Sequence, residues 1–222
     1  SGINTIVADT VIIGLYKGNG TVKFASQAAG SPGSVTISGR TRDTTDFVIG
    51  SKGGMPSGAV PRGTLDLRGH TANIEAGTVT IGREDNSSAS VYTGGAGGAL
   101  YFDGGSFSVS NLVMAYRSGI NTGTLAKATA TLTVSGGEFT ITKQGSFTLA
   151  TQTDTGVAYA TNTILGGTFR SHADILTGPS NCVGVINLDG GTLDMTGRAI
   201  GLGTQTVTEF NALSGTLLNL GD

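Results

Sequence analysis

Residues 98–115 read GALYFDGGSFSVSNLVMA, and the pattern in them decides the fold. An alternating run through Leu100 and Phe102 is broken by Gly104-Gly105. A second run through Phe107 and Val109 follows, and a third closes the unit at Ala115. Period-two alternation between glycine turns marks strands that bury one face. Residues 130–150 repeat the pattern as ATLTVSGGEFTITKQGSFTLA. Looser copies are 63–82 (GTLDLRGHTANIEAGTVTIG) and 184–203 (GVINLDGGTLDMTGRAIGLG). A unit of this size cannot bury its apolar face alone and must stack on its neighbours, which is the logic of a solenoid.

Two sets of landmarks extend the pattern along the chain. Turn glycines fall at Gly39, Gly69, Gly104, Gly136, Gly166, Gly190 and Gly221, and closing strands end at Gly14, Gly50, Gly82, Ala115, Ala150, Gly178 and Gly203. Steps of 24 to 36 residues between them suit three short strands and their turns. The expected fold is all-β: a right-handed parallel β-helix (β-solenoid) of about seven coils, open at both ends. It forms one domain over 1–222. Residues 1–14 are an N-terminal half-coil, 15–62 an irregular first coil, 63–214 regular coils, and 215–222 a C-terminal half-coil. Phe107, Phe139, Phe169 and Leu193 should stack as one internal ladder, and Leu65, Leu100, Leu132, Ile186 and Leu217 as another. Residues 21–24 and 34–37 both resemble opening strands. Asp103 and Asp189 are placed to close Asx turns. The variable polar segments 83–97, 116–127, 151–160, 178–184 and 204–214 should gather on one face.

Composition narrows the function. The chain holds 38 Gly among 222 residues, is 37% hydrophobic and 13% charged, and has a net charge of −2. Alternating apolar residues at that level point to a folded chain, not a disordered one. Thirteen Lys and Arg scattered against 15 Asp and Glu make no basic patch for nucleic acid. No run approaches the 18 or so apolar residues of a membrane helix, so membrane insertion is not expected. No charged run followed by an apolar stretch opens the sequence, so an export signal is expected to be absent or already removed. Cys182 is the only cysteine, which excludes a disulfide framework and cysteine metal sites; it reads as a small buried hydrophobe.

Catalytic chemistry finds little support, and the chain reads as no enzyme with no cofactor. The best cluster is Arg170, His172 and Asp174, which alternation would set on one strand face. Asp66, Arg68 and His70 show the same geometry, so both sets read as the polar solvent face of strands. Asp43, Asp46, Glu84 and Asp85 read as solvated loop carboxylates, short of the ligand count a calcium loop needs. The Gly-rich stretch 94–98 reads as a turn. Asn19 and Asn86 head formal glycosylation triplets in loops. Thr64, Thr78, Thr80, Thr131 and Thr133 point outward but do not repeat at one register, which argues against a flat ice- or sugar-binding array.

The ends carry the remaining signal. Residues 5–14 (TIVADTVIIG) read as the second half of a unit, and 215–222 (GTLLNLGD) as the first half. Joined end to start, they match 63–82. Bare β edges template association, and a head-to-tail contact that does not close makes a filament. The expected assembly interface is Ile6, Val7, Val11, Ile12 and Ile13 against Leu217, Leu218 and Leu220 of the next copy. The partner is then the chain itself, with surface polysaccharide as a further candidate. The alternative is a piece of a longer repeat array, or a carbohydrate-binding or carbohydrate-degrading β-helix.

The strings GTLDLRGHTANIEAGTVTIG, ATLTVSGGEFTI and INLDGGTLDMTG resemble the β-strand repeats of bacterial autotransporter passengers, and are similar to large repeat-rich surface proteins. The resemblance covers nearly the whole chain and is one of period and composition. It implies an extracellular or cell-surface parallel β-helix used for adhesion, matrix or surface structure. The translocator barrel or sorting segment of those proteins is not found within residues 1–222.

Overall fold

The computed structural model describes residues 2–25, 32–53, 60–86, 94–119, 127–153, 155–179 and 181–221. These hold strands and no helix. The strands are β1 (Ile3–Val7), β2 (Thr10–Leu15), β3 (Gly20–Lys23), β4 (Gly33–Ser38), β5 (Thr45–Ser51), β6 (Arg62–Asp66) and β7 (His70–Asn86). They continue as β8 (Ala96–Phe102), β9 (Gly105–Gly119), β10 (Lys127–Gln152), β11 (Val157–Ser171), β12 (Ile175–Thr177), β13 (Cys182–Arg198) and β14 (Glu209–Leu220). Every strand pairing is parallel, and the sheet does not close. The longest strands bend through corners and serve more than one row of pairs, an arrangement consistent with a β-solenoid.

The pairs fall into three rows. Row one runs β1, β4, β7, β9, β10, β11, β13, β14. Row two runs β2, β5, the second part of β7 and of β9, the end of β10, then β12, and reaches Ile200 by an isolated bridge. Row three runs β3, β6, β8 and the first parts of β10, β11, β13 and β14.

Each row contributes an inward column of apolar side chains. In row one the column is Ile6, Ile37, Ile74, Phe107, Phe139, Phe169, Leu193 and Leu217. The Phe107 and Phe139 rings stack at 4.8 Å, and those of Phe139 and Phe169 at 5.2 Å. Each buried Phe is worth about 1.5–3 kcal/mol, and each stacked pair about 0.5–1.5 kcal/mol more. Row two stacks Val11, Phe47, Val79, Leu112, Phe147, Ile175 and Ile200. Row three stacks Val22, Leu65, Leu100, Leu132, Asn162, Ile186 and Phe210. The two expected ladders are therefore present, except that Leu217 belongs to the phenylalanine column and Phe210 takes its place above Ile186.

That exchange corrects the reading of the ends. Thr216, Leu217 and Leu218 pair with Thr192, Leu193 and Asp194, so residues 215–220 form a row-one strand. Ile3–Val7 also lie in row one. The two ends repeat the same row and do not supply complementary halves of one unit. The same register places residues 21–23 in row three and 34–37 in row one, so only the former open a unit.

The glycine landmarks shift with it. The row-three to row-one corner is taken with positive φ at Gly105, Gly137, Gly167, Gly191 and Gly215, whereas Gly39 and Gly221 follow row-one strands. The row-two corner needs glycine for a different reason. Gly50 has φ +73, and a Cβ there would lie 1.8 Å from the Gly97 carbonyl oxygen. Its register mate two strands on, Ala115, tolerates φ 46. Gly97 and Gly98 lie inside β8, not in a turn.

Candidate functional site

Three places bear on function: the two edges, a buried charged column, and a groove at the row-one to row-two corner.

β1 and β14 end the row-one order, each with a neighbour on one side only among the described residues. Alternation splits the expected interface residues. Ile6 and Val11 point inward and pack against the core; Val7 and Ile12 lie outward and exposed. Ile13 is 3% exposed and belongs to the interior. At the other edge Leu217, Leu218 and Leu220 are exposed, as is Leu213 at 70%. Ile3, at 80%, is the most exposed of the large apolar residues. The column ends Val22, Ile200 and Phe210 are also half-buried against the core. They escaped the sequence reading because the row assignment was needed to find them.

The Arg170, His172 and Asp174 set does not share a strand face, because β11 ends at Ser171 and residues 172–174 turn the corner into β12. Arg170 stays on the sheet. Its guanidinium donates to a Glu138 carboxylate oxygen and, at 3.2 Å, to Asp194 Oδ2. That spends it as a tie between three neighbouring strands. Asp194 is held below the usual carboxylate range, first by the Asn219 amide and then by Thr196 N–H and Arg170. Asp174 Oδ1 accepts from Ala199 N–H at 2.9 Å. His172 and Asp174 line a groove of about 340 Å³ with Gln144, Ser146, Leu176 and Arg198.

The second set is also not a solvent face. Asp66 and Arg68 form a two-pronged ion pair (2.8 and 2.9 Å), which lowers the Asp66 pKa. His70 is buried, with its ring nitrogens 3.1 Å from the carbonyl oxygens of Arg68 and Ala25. Asp103 and Asp189 reach across strands instead of closing their own turns: Asp103 accepts from Gly69 N–H, and Asp189 from the Ser214 hydroxyl. Asn19 Oδ1 accepts from Arg62 N–H at 2.9 Å, so its side chain ties two strands. Ser87 and Ser88 of the Asn86 triplet lie outside the described residues, as do parts of the variable segments 83–97, 116–127, 151–160 and 178–184. Thr131 and Thr133 do find mates in register, Thr161 and Thr163, but Ala99 and Val185 interrupt the column of Thr131.

The largest departure is Glu84. Read as a loop carboxylate, it is fully buried. Its Oε1 lies 3.3 Å from Lys52 Nζ and its Oε2 2.7 Å from an Arg117 guanidinium nitrogen; both cations are also fully buried. Lys52 donates to the Gly94 carbonyl oxygen as well. Gly156 makes room for the column, since a Cβ there would fall 1.7 Å from Arg117 Nε. Burying these charges is tolerable because they are paired and hydrogen-bonded.

Cys182 is free and buried, and burial pushes its thiol up to about 11. A thiol so placed is a packing residue and a poor nucleophile. Among the described residues no group of three or more His, Cys, Asp or Glu is placed to hold a metal, and no helix is long and apolar enough to cross a membrane. No family model, curated protein or solved structure matches this chain, so its geometry carries the functional reading.

Proposed function

We propose that this chain is a structural, non-enzymatic element of an extracellular or cell-surface fibre. In this reading it is a right-handed parallel β-helix of about seven coils that extends by pairing its edge strands with further coils. The observation that carries it is the shared row of β1 and β14. Both run in the same direction along the same column, Ile6 at one end and Leu217 at the other. A second copy seated with its β1 on β14 continues that column and the parallel hydrogen bonding, as in strand addition. Rows two and three each hold one strand fewer than row one, so with β1 seated on β14 the Val11 and Val22 of the second copy stand one empty strand position away from Ile200 and Phe210 of the first. The contact is head to tail and does not close on itself. The likeness of the repeats to autotransporter passengers supports the surface location.

The test is electron microscopy with light scattering on the chain at micromolar concentration. Unbranched filaments are expected. Leu217→Lys with Leu220→Lys should give dispersed monomers with an unchanged far-UV spectrum, because a charge on an edge strand blocks pairing. Monomers from the unaltered chain would overturn the copy-on-copy contact and leave a segment of a longer surface passenger as the reading.

A further inference from the structure

The corner groove is independent of the edges, and its chemistry points to a ligand. Its walls come from three successive levels of the stack: Gln144 to Thr148, His172 to Leu176, and Arg198. At about 340 Å³ it lies at the low end of the roughly 300–1,000 Å³ typical of small-molecule sites. That is room for one or two sugar rings.

Four features of the groove bear on binding. Gln144 holds φ 67, a left-handed conformation rare for a residue that is neither Gly nor Asn. Such strain persists where the surroundings demand it and clusters at binding sites. Arg198, like Arg62, has no carboxylate partner among the described residues, while Arg40, Arg42, Arg68, Arg83, Arg117 and Arg170 each have at least one. Asp174 uses one oxygen to fix the Ala199 N–H, which orients the carboxylate and leaves its second oxygen as an acceptor. His172 has its backbone N–H fixed on the Ile141 carbonyl oxygen at 3.2 Å, which fixes the main chain from which the side chain lines the groove. The groove therefore offers one planar cationic fork, one carboxylate acceptor, an amide and an imidazole around a small apolar patch at Leu176. A guanidinium fork matches a carboxylate in two-pronged geometry. The acceptor and the amide match vicinal hydroxyls.

We propose that this groove is a binding site for an acidic saccharide, a sugar ring bearing a carboxylate. Arg198 takes the carboxylate, and Asp174, Gln144 and His172 take the ring hydroxyls. The site stands whether or not the chain forms filaments.

The experiment is heteronuclear NMR titration of the full chain with trisaccharides of galacturonate, glucuronate and mannuronate, each beside its neutral methyl ester. The expected result is saturable shifts at Gln144, His172 and Arg198 with at least one acid, at a Kd below about 10 mM. Arg198→Ala and esterification should each weaken that binding at least tenfold. Arg198 is exposed, so the variant should keep its far-UV spectrum, and filaments imaged in parallel report the assembly separately. Three results would each overturn the proposal: no shifts with any of the acids, shifts unmoved by Arg198→Ala, or equal binding of acid and ester.

Discussion

Asn162 is the residue that most contradicts its surroundings. It stands in the row-three column between Leu132 and Ile186, fully buried, and neither its amide nitrogen nor its amide oxygen has a hydrogen-bond partner. An unsatisfied buried polar group costs about 1–3 kcal/mol. Leucine has nearly the same shape and matches the column. Asn162→Leu is therefore expected to raise stability by about 1–3 kcal/mol, seen as a higher midpoint in urea. A lower midpoint would mean that the amide has a partner, such as a trapped water, worth more than the apolar contact. Alternation showed that position 162 faces inward. It did not show why an amide stands there, and nothing in the structure explains it.

At the scale of strands, charge is ordered as apolar surface is. Lys52, Glu84, Arg117 and Gln152 occupy one column at the end of row two, alternating in sign over the first three. Removing the anion takes a buried charged partner from each of two buried cations. Glu84→Gln is expected to cost about 3–5 kcal/mol, measured as a fall in denaturation midpoint at pH 7. A loss below about 1 kcal/mol would show that the cations find other partners or water. None of this was legible in the sequence, because Arg-Glu-Asp after a strand looks like any polar loop. The apolar columns were legible, since Phe107, Phe139 and Phe169 each follow a Gly-containing corner at constant distance. The row of the last strand was not. Residues 215–217 and 191–193 both read Gly-Thr-Leu, and so do 63–65, which belong to row three. Only the pairing with β13 separates the two choices. The two polar trios failed for a related reason: alternation was carried past Ser171 and Asp66, where the strands end.

Across the whole molecule, carboxylates tie strands distant in sequence. Asp9 accepts from Arg40 and Thr41 N–H groups, 31 and 32 residues away, and its pKa falls to about 2. Asp66 is lowered first by its Arg68 hydrogen bond, and Asp194 first by Asn219. All three sit below the unfolded value of about 3.9. Their stabilisation is complete above that value and is lost as pH falls through the folded values, reaching about pH 2 for Asp9. The urea midpoint should therefore drop between about pH 4 and pH 2, and Asp9→Asn should flatten part of that drop. A midpoint constant over that window would contradict the assignment.

The three parallel rows also fix how the molecule answers to force. Bonds between neighbouring strands point along the stack, so tension on the two ends peels an edge strand and loads few bonds at once. The chain is then paid out one turn at a time, not in a single rupture. A turn near the end holding β14 spans 24 residues, as from Arg170 to Asp194, and a turn nearer the middle 32, as from Phe107 to Phe139. Fully drawn, these release about 80 and about 110 Å. One such chain held at both ends would yield gradually under load and lengthen many-fold before any covalent bond is stressed.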